Sequence, residues 1–336
     1  MADVVLGMWT THGPTLNTTP DQWGERVKAD LVNEHWFKGE RFTFDELIER
    51  RSGEDIAARI TDDERQRRYD ACQAGIGALA DKWEEMAPDA CVILGNDQRE
   101  LFLEDIQPTF TVYRGETFYN QPTSAAQKAK LPPGVEDAEW AYRPDRHTVY
   151  PGLPGLAEIV FARAMEEGFD LAASNDWLRH EDHRHVGTPH AFSFVLRRIM
   201  RDRAVPTLPV IANTFYPPNQ PTARRCFDFG AMIGRAIRDW DSPARVAVVG
   251  SGGMSHFCID EDLDRRFLDA FCDRNEDALC GIEQDLLQSG SSELRNWIVA
   301  AGVLFGTRLG GDVLDYVPCY RSLAGTGTAN AFVCWT

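Results

Sequence analysis

The chain has 336 residues, 43% of them hydrophobic, enough for one large α/β domain with elaborations or for two modest domains. Asp and Glu (52) outnumber Lys and Arg (35), and the formal charge of -17 argues against nucleic acid or an anionic membrane surface as a partner. No stretch approaches the roughly 18 to 20 apolar residues that span a bilayer, and MADVVLGMWTTHGP has neither the basic nor the apolar region of a leader, so a cytoplasmic protein with no membrane partner is expected.

In chain order, DVVLGMW (3–9) reads as a first strand, and the turn TTHGPT places His12 at its end. From Thr19 to about Ala87 the pattern is helical and strongly charged, which predicts an N-terminal helical insertion exposed to solvent. CVILG (91–95) and TFTVY (109–113) read as strands, and a loop rich in Pro, Ala and Lys from Gln121 to Pro144 as a flap. GLAEIVFARAMEEG predicts a helix ending at Gly168, followed by the strand FDLAAS and the histidine-rich WLRHEDHRHVGTPHAF. HAFSFVLRRIMRDR and ARRCFDFGAMIGRAIRDW then read as helices around the strand TLPVIANTF. ARVAVVGSGGMSH is a strand entering a glycine turn, and a helical C-terminal third precedes a closing strand at NAFVCW. Alternating strands and helices predict a single α/β domain over residues 1–336: a central mixed sheet flanked by helices, with 19–87 as an insertion. The eight cysteines form no C-x-x-C and read as buried free thiols.

Polar clusters fall where strands should end: His12; Asp97 with Gln98; His180, His183, His185 and His190; and Ser255 with His256. Glu293 opens a further helix in SSELRNW. Two histidines and a carboxylate on one face are the usual frame for non-haem Fe(II). Each residue also has an ordinary explanation: His12 as a cap, Glu293 as a first-turn carboxylate favoured by the helix dipole, HEDHRH as a solvated loop. GSGGMSH lacks the spacing and the lysine of a phosphate-binding loop.

Taken in order, TTHGP, ILGNDQRELF, TFYPPNQPTARRCF, VVGSGGMSH and SSELRNWIVAAG resemble the class III extradiol ring-cleavage dioxygenase family, which includes the catalytic beta subunit of protocatechuate 4,5-dioxygenase. The resemblance implies a non-haem Fe(II)-dependent ring-opening dioxygenase for a catecholic or gallate-like aromatic acid, with O2 as co-substrate in a homo-oligomer, expected to be a dimer. It places His12 and Glu293 on two iron ligands, His183 or His185 on an acid/base histidine, and His256 in the pocket.

Three departures stand out. The family's second ligand histidine, directly after Asn-Asp, is Gln98 here; a loop histidine is replaced by Leu153, with His147 nearby; and a substrate-contacting Ser-Asn pair gives way to Arg321, Thr326 and Thr328. A glutamine offers iron only a neutral amide oxygen, a weaker donor than imidazole. Ligation through Gln98 would require its NH2 to be held away from the metal by an acceptor such as Asp97. The substitution leaves open a weakly held, exchanged or lost metal, a metal-free hydrolase or decarboxylase using acid/base chemistry, and a non-catalytic partner subunit. Arg99, Arg184, Arg224, Arg225 and Arg321 are candidates to receive a ring carboxylate.

Overall fold

The computed structural model describes residues 1–132, 134–177 and 187–336. The strands are β1 (Asp3–Thr10), β2 (His35–Phe37), β3 (Glu40–Phe42), β4 (Ala90–Asn96), β5 (Phe110–Tyr113), β6 (Thr117–Asn120), β7 (Thr148–Pro151), β8 (Ala172–Ser174), β9 (Thr207–Ala212), β10 (Arg245–Ser251), β11 (His256–Cys258), β12 (Gly311–Tyr320) and β13 (Thr326–Trp335). The helices are α1 (Trp23–Asp30), α2 (Phe44–Arg50), α3 (Asp62–Met86), α4 (Ala125–Lys128), α5 (Pro154–Glu166), α6 (His190–Phe194), α7 (Ala223–Asp239), α8 (Glu261–Cys272), α9 (Glu276–Cys280) and α10 (Leu294–Phe305).

One mixed sheet runs in the order β11-β13-β1-β10-β4-β9-β5-β8, with β12 paired to β13. Its centre, β1, β10, β4 and β9, is parallel, so these strands deliver their carboxyl ends to one edge. That edge is where open α/β sheets place ligands. Both faces are covered, which explains the continuous apolar run of β4: Ala90, Val92 and Leu94 enter one core and Cys91 and Ile93 the other. On the first face α7 and α10 cross closely; a Cβ on Gly230 would collide with the Val299 carbonyl, and one on Gly302 with that of Phe227.

On the second face lies α3, opened by Thr61, whose hydroxyl accepts from the Glu64 amide, and by a first turn of Asp62, Asp63 and Glu64. Cys72, Ile76, Leu79 and Trp83 recur at helical spacing along its buried side, and Gly75 lets it settle against Phe332 of β13. The helix is therefore a packed layer of the sandwich, not an exposed appendage. The 19–87 stretch also contains the β2-β3 hairpin, which its charge pattern does not reveal.

The C-terminal third differs from expectation as well: after α10 it holds a second strand, β12, before the closing strand. Pro318 disguises it in the sequence, yet β12 pairs only with β13, and an edge strand tolerates a missing amide donor. The 121–144 segment is the excursion between β6 and β7, and its Ala138, Ala141 and Tyr142 are buried. The helix after Pro189 changes after one turn into a π-helical turn, Val195–Ile199. All eight cysteines are free. No described helix is long and apolar enough to cross a membrane.

Candidate active site

The carboxyl ends of β1, β4 and β10, the turn into β11 and the start of α10 surround a cavity of about 220 Å³. His12, Gln98, Glu100, His190, Gly253, His256 and Glu293 line it, together with Arg26, Tyr142, Arg321 and Thr328. Single-ring ligands suit this volume better than the drug-sized molecules held in sites of about 300 to 1,000 Å³.

Glu293 is the centre. It is 3% exposed, and its Oε1 accepts from Asn96 Nδ2 at 3.1 Å and from Gln98 Nε2 at 3.3 Å, while Oε2 accepts from the Gly253 amide at 2.7 Å. Burial alone would raise its pKa, but its contacts with the neighbouring imidazoles and the Gly253 amide outweigh burial and hold the carboxyl well below the usual range. Glu293 is therefore an anion.

His12 faces it, with Nε2 3.4 Å from Glu293 Oε2. Burial lowers the pKa of His12 against the opposing pull of Glu293, so the ring is neutral near pH 7. Its tautomer follows from the neighbouring hydroxyl. Ser251 Oγ donates to the Ala191 carbonyl at 2.6 Å and so accepts from His12 Nδ1 at 3.0 Å. Nε2 is then the lone-pair nitrogen of the neutral ring, and this buried atom has no hydrogen-bond partner among the described residues.

The other two imidazoles are set the same way. His256 Nδ1 lies 2.9 Å from the Met254 carbonyl, and His190 Nδ1 lies 2.7 Å from Glu100 Oε2. Both acceptors require Nδ1–H, so the neutral form of either ring carries its lone pair on Nε2. His256 Nε2 is 3.8 Å from Glu293 Oε1, and the His190 ring stands edge-on to His12 with centroids 4.7 Å apart. Burial would lower the pKa of His190, but Glu100 outweighs it and raises it.

Gln98 turns its amide nitrogen to Glu293 and accepts from the Tyr216 hydroxyl at 3.4 Å through its oxygen. Asp97 does not hold that amide. Its carboxylate instead accepts from the backbone amides of Glu100, Leu101 and Phe102, which shapes the loop carrying both Gln98 and Glu100.

Arg321 lines the cavity but is engaged with Asp30 through two hydrogen bonds of 2.7 Å, and Thr326 donates to the same carboxylate at 2.6 Å without lining the cavity. Thr328 does line it, 3.2 Å from Thr15 through their hydroxyls. Asp30 belongs to α1, so the insertion is tied directly to the β12-β13 hairpin. The cation that sequence reasoning missed is Arg26, also on α1, whose stem passes Gly134 and whose electrostatic neighbours are Arg321, Asp30 and Tyr142. Arg99 pairs with Glu104, Arg224 with Glu276, and Arg225 lies over Phe169. His147 is exposed and stacked on Tyr119, and Leu153 sits in the core at the start of α5. His180, His183, Arg184 and His185 lie outside the described residues.

His190, one of the histidines in the polar cluster before α6, pairs with Glu100, a residue the sequence does not single out. The available signals were a glutamate two residues beyond Gln98 and a histidine directly after a helix-starting proline.

A neutral imidazole lone pair and a carboxylate facing each other at 3.4 Å repel unless a cation lies between them, so His12 and Glu293 fit a metal-ligand pair. Among the described residues no three His, Cys, Asp or Glu side chains are gathered for one ion, and the pair is not a closed site.

A 183-residue stretch is 30% identical to the 2,3-dihydroxyphenylpropionate/2,3-dihydroxicinnamic acid 1,2-dioxygenase of Escherichia coli (strain 55989 / EAEC), covering 54% of this chain and 48% of that protein. Over 188 residues the identity to the enzyme of the same name from Comamonas testosteroni is 24%, covering 55% of this chain and 49% of the relative. The matches thus span about half the length of these curated relatives. Residues 59–334 match the family described as the catalytic LigB subunit of aromatic ring-opening dioxygenase, and the chain belongs to that family.

Proposed function

We propose that the protein is a non-haem Fe(II)-dependent, extradiol-type dioxygenase that opens the ring of a catecholic or gallate-like aromatic acid. The observation that carries this reading is the His12 Nε2 lone pair set against the Glu293 carboxylate. These two residues would hold the ion. When bound, Fe(II) supplies Lewis acidity and a path for electrons between a ring diol and O2.

The chain's own residues divide the remaining work. Asn96, Gln98 and the Gly253 amide fix the Glu293 carboxylate and keep it ionised. Ser251 fixes the His12 tautomer. His256 Nε2 faces the same space and can take a proton from a substrate hydroxyl and return it to the product. Arg26 supplies positive charge for an acid substituent on the ring. The same reading takes the protein as a cytoplasmic homodimer, which light scattering tests for oligomeric state.

Anaerobic reconstitution with Fe(II), metal analysis and oxygen-electrode assays test the function. The expected result is one iron per chain and O2 uptake with at least one of protocatechuate, gallate, 2,3-dihydroxyphenylpropionate or catechol. Iron binding without O2 uptake on any of them would count against ring opening. Anaerobic turnover that survives chelator would instead mark an acid/base enzyme, and activity only with an added homologous subunit a partner role.

A further inference from the structure

We propose that His190 is the second imidazole ligand of the Fe(II) site, taking the place that Gln98 leaves empty of a histidine and completing a set with His12 and Glu293. The proposal rests on the Fe(II) reading above.

Three observations carry it. First, Gln98 is committed elsewhere. Its amide nitrogen donates to Glu293 and its oxygen accepts from Tyr216, so it braces the carboxylate ligand and presents a donor hydrogen to that side of the cavity.

Second, His190 is prepared as a ligand. Glu100, 2% exposed, receives the His190 backbone amide at 3.1 and 3.2 Å as well as Nδ1 at 2.7 Å, and Arg143 lies 3.6 Å from it. A carboxylate on the far nitrogen is the usual outer partner of a metal-binding histidine, because it fixes the tautomer and enriches the ligating nitrogen. His256 has only a backbone carbonyl from its own turn in that position.

Third, the placement is right. The His190 ring meets His12 edge-on at 89° with centroids 4.7 Å apart, and Glu293 is among its electrostatic neighbours. Both rings and Glu293 line one cavity. The loop after β4 that lacks the histidine at position 98 carries, two residues later, the glutamate that orients its replacement. Position 190 is delivered to the same place by the start of α6.

The test is anaerobic titration of the full chain with Fe(II), and separately with Co(II), whose visible absorption reports the number and kind of ligands. His190→Ala is expected to weaken binding by more than the roughly 10- to 100-fold typical of outer-partner losses, and to change the Co(II) spectrum. Glu100→Gln should cost about 10-fold and leave the ligand set intact. Gln98→Ala, which removes a brace from Glu293, should weaken binding and keep the wild-type number of nitrogen ligands on Co(II), and Gln98→His combined with His190→Ala should restore binding, which separates ligand loss from misfolding. Wild-type affinity in His190→Ala, or loss of a nitrogen ligand from Co(II) in Gln98→Ala, overturns this proposal alone. Absence of metal binding by the wild-type protein overturns both this proposal and the Fe(II) reading.

Discussion

Ser251 Oγ stands 3.0 Å from His12 Nδ1 and gives its own proton to the Ala191 carbonyl, so it serves His12 only as an acceptor. Removing it frees the imidazole to rotate and to exchange tautomers. Ser251→Ala should therefore weaken Fe(II) binding by about 10- to 100-fold while the fold is retained. Metal titration beside thermal melting measures both, and unchanged affinity would mean that the ring is held by packing alone.

Arg26 makes a prediction about selectivity. A charge-assisted hydrogen bond is worth about 1.5–3 kcal/mol, or roughly 10- to 100-fold. Arg26→Gln should raise KM by that factor for catechols bearing a carboxylate and leave catechol itself nearly unaffected. An equal effect on both substrates would assign Arg26 to the structure of α1 instead.

Asp264 links pH to stability. Its carboxylate receives the amide and hydroxyl of Ser255 and the hydroxyl of Tyr316, anchoring the turn that carries His256. Burial pushes its pKa from 3.8 up to about 7 against those hydrogen bonds. Between these values the folded state holds a proton that the unfolded chain has released. The contribution is fully present below pH 3.8 and is lost as pH rises through about 7, by as much as about 4 kcal/mol. Asp97, also raised to about 7 by burial, acts in the same direction. Denaturant unfolding across this range should show falling stability with rising pH, and Asp264→Asn should flatten part of the slope. A slope unchanged by that substitution would place the titration elsewhere.

Packing behind the site carries a prediction of its own. Gly230 permits the close crossing of α7 on α10, and α10 begins at the residue after Glu293. Gly230→Ala should destabilise the protein by about 1–3 kcal/mol through overpacking and also lower metal affinity by shifting Glu293. Melting and metal titration on one sample check both effects. Destabilisation with unchanged affinity would show that the start of α10 is anchored independently.

The sheet centre, the flanking helices and the strand-end positions of His12, Gln98 and His256 were legible in the sequence, because apolar periodicity and glycine turns are local signals. Glu293 was legible only through the order of motifs in the chain, since locally it reads as a first-turn carboxylate. The edge strand β12, with Pro318, and the hairpin within 19–87 were not legible, because their pairing depends on distant partners.

What tertiary structure alone decided is the division of roles around Gln98. Sequence determined that position 98 lacks an imidazole. Only the fold brings Glu100 and His190, 90 residues apart, into hydrogen-bond contact beside His12, and pairs Arg321 with an aspartate 291 residues away while Arg26 lines the cavity. Hydrogen bonds and ligand geometry act over about 3 Å in space regardless of separation along the chain, so no local pattern reports them.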